Sequence, residues 1–158
     1  MPFWMTIAEW SSRLILIFLV LLSVWSVSIM IDRKRFFKGL STPDASWKSE
    51  TQFETRMETH KAELEKGLPI LGTLGSTAPF IGLLGTILGI IKAFGELSIN
   101  AMNTNKIMFL LAEALILTAV GLAVAIPSVI AFNFFQRKVK QHLSLIRAMH
   151  RDHQSSGQ

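Results

Sequence analysis

Three long stretches without charge, or nearly so, dominate what this chain can fold into. Leu14 to Ile31 and Leu68 to Ile91 hold no charged residue, and Ile107 to Phe135 holds only Glu113. At about 1.5 Å per residue, each stretch is long enough as a helix to cross a hydrocarbon layer roughly 30 Å thick, or nearly so. A soluble domain of 158 residues seldom carries 50% hydrophobic residues, and the mean hydropathy of +0.41 is high for the same reason. The expectation is an all-α integral membrane protein with three transmembrane helices.

The first stretch also fits the apolar core of a signal peptide, but it is long and is followed by Asp32-Arg33-Lys34-Arg35 instead of small residues. It is therefore read as a permanent span. Cations cluster after the first stretch (Arg33, Lys34, Arg35, Lys38) and after the third (Arg137, Lys138, Lys140, Arg147, Arg151), whereas the start offers mainly Arg13. The positive-inside rule then places the N-terminus outside and the C-terminus in the cytoplasm. The expected single membrane domain runs as an outer segment 1–13, span one 14–31, a cytoplasmic segment 32–67, span two 68–97, an outer turn 98–106, span three 107–135 and a cytoplasmic tail 136–158. The net charge of +5 is accounted for by these span ends and needs no nucleic acid as partner. Without cysteine, disulfides, thiolate metal sites and cysteine nucleophiles are excluded.

Within 32–67, Pro43 after Ser41-Thr42 marks a helix start, and Lys66-Gly67 a helix end. Phe53, Met57, His60 and Leu64 recur on one face, which predicts a small amphipathic helix on the membrane surface or against the next span. Val139, Leu143, Ile146 and Met149 predict that the third helix continues into the cytoplasm, and Gln154 to Gln158 read as a disordered tail.

Seven of the ten glycines lie between Gly67 and Gly95. One face of span two reads Gly72, Gly75, Pro79, Gly82, Thr86, Gly89, Ala93, in alternating steps of three and four. Span three repeats the pattern as Ala114, Thr118, Gly121, Ala125, Ser128. Small residues at this period let membrane helices pack backbone to backbone, or line a bore. The polar connection around Asn100, Asn103 and Asn105 predicts an antiparallel hairpin. With Met102 as its centre, Thr86 and Thr118 are both sixteen residues away, so their hydroxyls share one depth. Repeated around a ring of subunits, they form a girdle able to pass a proton or hydrate a partner's charge. The alternative is that each hydroxyl bonds its own i−4 carbonyl and serves packing alone.

The same count sets Lys92 level with Glu113, a possible ion pair that lowers the cost of burying either charge. Glu113 lies about 140° around the helix from Thr118 and flanks the stripe without joining it. His150-Arg151-Asp152-His153 offers two imidazoles at i, i+3, with no further ligand evident, so no metal is assigned. No cofactor motif is present, nor any HExxH or GxSxG, and Glu113 lacks a second catalytic group on its face, so the chain is not read as an enzyme.

The stretches "GSTAPFIGLLGTILGI" (75–90) and "AEALILTAVGLAVAIPSVIAFN" (112–133) resemble the two signature spans of the ExbB/TolQ/MotA proton-channel family, most of all the short members of its ExbB branch. The resemblance covers roughly 68–135 closely and the three-span plan generally. It implies a homo-pentamer around the single spans of an ExbD-like or TolR-like dimer whose membrane aspartate carries protons inward, with the work passed to a TonB-like transducer. It also implies ion-path roles for Thr86 and Thr118, and for Glu113 either a relay or an ordering role. A TolQ-type or stator subunit, and a passive membrane scaffold without ion flux, are the rival readings. Two departures stand out: only about 35 residues separate spans one and two, where longer members carry a larger domain, and Lys92 stands where a neutral residue is expected.

Overall fold

The computed structural model describes residues 3–40, 50–99 and 104–156. Among them there are four helices and no strand: α1 (Phe3–Lys38), α2 (Glu50–Glu65), α3 (Leu68–Ile99) and α4 (Thr104–Ser156). Three of these are long and apolar enough to cross a membrane, over Ser12–Lys38, Leu68–Ser98 and Thr104–Asp152. Their outward faces carry large apolar side chains: Ile17, Leu21 and Val24 on α1, Phe80, Leu83 and Leu84 on α3, Leu115, Ile126 and Ile130 on α4. Where α3 meets α4 the inside is mostly Gly and Ala, with a few leucines such as Leu19 and Leu117 buried beside them. That inversion of a soluble bundle is what a lipid solvent permits, because acyl chains solvate Leu and Phe as well as a protein core does. The chain is a multi-pass, all-α membrane protein.

The hairpin of α3 and α4 is the centre of the molecule, and α1 lies along both of its arms. Leu19 of α1 is fully buried, and Ile15 packs on Gly85, where an added Cβ would also meet Leu117 at 2.9 Å. Deeper in, Ser26 and Ser128 share a buried 2.8 Å hydrogen bond. Ser128 gives its proton to the Val124 carbonyl at 2.7 Å, so Ser26 is the donor to Ser128. One serine thus docks α1 by a bond that no water contests.

Beyond the apolar stretch, α4 continues and α2 lies against it. Phe53, Met57 and Leu64 of α2 join Val139, Leu143 and Ile146 of α4, together with Leu68, Leu71 and Phe135, in one buried cluster. This places α2 against α4, the third span, where the sequence predicts the membrane surface or the next span; the buried Val139, Leu143 and Ile146 of the long helix's extension provide the apolar face it docks on. Gly67 closes α2 with φ of +79°, a left-handed conformation that side chains resist. Arg33 of α1 donates to the Glu63 carbonyl at 3.1 Å and so caps the end of α2. His60 and His142 face each other across this interface, ring centres 5.5 Å apart. Burial, and then the neighbouring His60, hold the His142 imidazole below its usual 6.5.

Two expectations are corrected at this end. Met149 is 40% exposed, and His150 takes the inward position, 6% exposed and stacked on Phe53 at 3.8 Å. A single residue step turns 100° around a helix, so a stripe that drifts over several turns hands the contact to the next residue. His150 is therefore a packed ring. Helix also persists to Ser156, past the expected onset of disorder at Gln154. The helix start at Pro43 and the turn residues Asn100 and Asn103 lie outside the described residues.

Candidate functional site

The two small-residue stripes face each other. A Cβ built on Gly82 would come within 2.8 Å of the Leu117 carbonyl and 3.2 Å of the Gly121 Cα, and one on Gly121 within 2.7 Å of the Ala78 carbonyl. Gly89 lies on Ala114, where a Cβ would approach to 2.5 Å, and Gly75 on Val129 at 2.4 Å. Gly72 receives the Phe132 ring, and Ala78, Ala93 and Ala125 are buried along the same line. Pro79, also on this face, has no amide hydrogen to offer the Gly75 carbonyl. Read from sequence as a packing or bore-lining surface, these residues serve in this chain as the hairpin's own seam. Ser128 belongs to the seam's inner end but turns its hydroxyl to α1.

Thr86 and Thr118 sit between the Gly82–Gly121 and Gly89–Ala114 contacts, level with each other. Their hydroxyls touch directly. Thr86 also reaches its own-helix Gly82 carbonyl and, across the seam, the Ala114 carbonyl, both at 3.2 Å. Thr118 reaches the Gly82 carbonyl at 3.2 Å, across the seam and not back along its own helix. The purely local i−4 arrangement is therefore only half present. Four oxygens from two helices converge, and two hydroxyl protons have more acceptors than they can fill, so the bonds can be exchanged by hydroxyl rotation alone. Both threonines are half-buried, which leaves each an outward edge. Close backbone approach is the condition for this cluster: any side chain at Gly82 or Gly121 would separate the oxygens.

Glu113 lies off the seam. It lines, with Lys92, Arg13, Lys106 and Trp10, one cavity of about 360 Å³ between the ends of α1, α3 and α4. The expected Lys92–Glu113 ion pair is not formed. The pair that closes this end of the hairpin is Glu96 with Lys106, at 2.8 Å. Counting residues from a turn fixes height and leaves direction around the helix open, so Lys92 and Glu113 share a level and a cavity without meeting. Glu96 and Lys106, six and four residues from Met102, were within reach of the same count. Ser26 was the other residue the sequence reading missed; a serine inside an apolar span was its only signal. Among the described residues no three metal-binding side chains converge.

The profile of the MotA/TolQ/ExbB proton channel family matches residues 28–148. The biopolymer transport protein ExbB of Aquifex aeolicus is 43% identical over 133 residues, covering 82% of this chain and 84% of that protein. An ExbB-like biopolymer transport protein of Helicobacter pylori is 41% identical over 122 residues, 77% of this chain and 75% of its own length. The Tol-Pal system protein TolQ of Pseudomonas aeruginosa is 46% identical over a shorter stretch of 77 residues, 48% of this chain and 33% of that protein. With three apolar helices, a glycine seam and a profile match over most of its length, this chain belongs to the MotA/TolQ/ExbB proton channel family.

Proposed function

We propose that this chain is the ion-path subunit of a bacterial inner-membrane motor, working as a ring, a pentamer by family resemblance, around an ExbD-like dimer and passing proton motive force to a TonB-like transducer. In this reading the N-terminus lies in the periplasm and the C-terminus in the cytoplasm, an orientation that the clustering of cations after the first and third spans supports. The observation that carries the reading is the four-oxygen cluster of Thr86, Thr118, Gly82 and Ala114 at one depth of an otherwise apolar hairpin. Facing a partner's membrane aspartate, the outward edges of the two hydroxyls offer it hydrogen bonds in either protonation state: a donor to the carboxylate, an acceptor for the acid. One charge crossing 100 mV releases about 2.3 kcal/mol, so a few such transfers suffice for mechanical work. Glu113, in its cavity beside Arg13 and Lys92, gathers protons or orders the outer mouth.

Proton uptake into liposomes holding this chain and its single-span partner tests the reading. Thr118→Val keeps the shape and removes the hydroxyl, and is expected to lower uptake at least about tenfold while the complex still assembles, the cost of roughly 1.4 kcal/mol at a barrier. Unchanged uptake in an assembled Thr118→Val complex refutes the ion-path role and leaves a packing scaffold. The local match to a TolQ protein keeps envelope maintenance as a second process for the same motor. The periplasmic domain of the single-span partner decides between them.

A further inference from the structure

At the far end of the spans from Glu96 and Lys106, a groove of about 780 Å³ runs between α1 and α4, remote from the threonine cluster. Each helix contributes one column to it at i, i+4, i+8. On α1 the column is Met30, Lys34, Lys38, and on α4 it is Ile130, Phe134, Lys138. Both columns begin apolar and end basic in the same direction, at the level where the charge-free stretches stop. Ile130 and Phe134 are exposed although strongly apolar. No carboxylate lines the groove, and none of the three lysines pairs with a carboxylate among the described residues. Lys138 instead holds its ammonium 5.4 Å from the Phe134 ring centre, at the junction of the two halves.

We propose that this groove binds one anionic phospholipid per chain, with an acyl chain along Met30, Ile130 and Phe134 and the phosphate among Lys34, Lys38 and Lys138. The charge pattern selects this occupant. A basic pocket between spans matches an anionic headgroup, and the apolar half matches the chain attached to it. A second copy of this protein brings the same basic end to the same level, since Asp32 is the only acid beside Arg33, Lys34, Arg35 and Lys38 on α1, and Arg137, Lys138 and Lys140 follow on α4. Like charges then repel. The inference is independent of whether the threonines conduct.

Native mass spectrometry of the full-length oligomer, in a detergent with a neutral headgroup, provides the test. Phosphatidylglycerol and phosphatidylcholine with identical acyl chains are titrated separately. Phosphatidylglycerol is expected to be retained roughly a hundredfold more tightly, from about 1 kcal/mol for each of three lysines. The Lys34→Gln/Lys38→Gln/Lys138→Gln variant is expected to lose that preference. Lys138→Gln alone, the gentler change, is expected to lose about fivefold at unchanged helicity by circular dichroism. Ala131→Trp fills the apolar half and is expected to weaken both lipids. Equal retention of the two lipids, a preference surviving in the triple variant, displacement by an equal concentration of glycerol phosphate, or a cross-link from position 130 to another copy in lipid-free oligomer would each overturn the proposal.

Discussion

One helix, α4, is packed in two opposite ways along its length. From Ala114 to Val129 it meets α3 through glycine and alanine, close enough that a single Cβ would clash with backbone. From Phe135 to Ile146 it meets α2 and the start of α3 through Phe53, Met57, Leu64 and Leu71, with Leu64 and Leu71 fully buried. The difference follows from the solvent each half is read to face. In lipid there is no hydrophobic gain from burying a leucine, so association rests on close van der Waals contact and polar groups. In water a buried leucine is worth about 1.5–3 kcal/mol, so bulk is the favoured currency.

That contrast can be broken deliberately. The largest effect is expected from Gly82→Leu, which drives a side chain into the Leu117 carbonyl and the Gly121 Cα. Neither is the movable end of a side chain, so the cost is at least about 3 kcal/mol. Thermal unfolding in detergent should show the hairpin lost, and retention of the wild-type midpoint would refute the seam. Leu64→Ala is expected to cost about 2–3 kcal/mol, confined to α2 and its footing. Hydrogen exchange should then accelerate over 50–65 while the 72–93 amides keep their protection; uniform acceleration would erase the distinction between the halves.

The smallest effect sharpens the comparison through pH. The folded His142 titrates below the unfolded value near 6.5, so the undocked state binds more protons as the medium is acidified. Docking of α2 on α4 is therefore fully stable above about pH 6.5, and weakens as pH falls through that value toward the lower folded one. His60, 5.5 Å away, adds like-charge repulsion once both rings are protonated, and Glu63, 4.0 Å from His60, offsets part of it. The protection of α2 relative to the intrinsic exchange rate, measured from about pH 8 to 5.5, should decrease in the parent chain and change less in His142→Asn. The seam has no titrating group among its contacts and should not respond.

Much of this was legible in the sequence. Charge-free stretches gave the three helices, and equal distance from the turn gave the level of Thr86 and Thr118, because both depend only on rise per residue. Direction around the axis was less accessible. The stripes identify a smooth face but not its partner, and that partner is the other stripe. Lys92 and Glu113 agree in height and miss in azimuth, and His150 displaces Met149 by one step of rotation. Ser26 was hidden because the placement of α1 on the hairpin depends on contacts from two other helices.

The continuity of α4 has a mechanical meaning. Thr118 and His150 stand on the same helix, 32 residues and therefore about 48 Å apart. A rocking of only about 5° at the hydroxyl cluster swings the far tip by about 4 Å, roughly the reach of a side chain. Pro127 stands between the two and leaves one carbonyl of the helix without its amide partner, so the stiffness of α4 at that point sets how much of a tilt at the hydroxyls reaches the far tip.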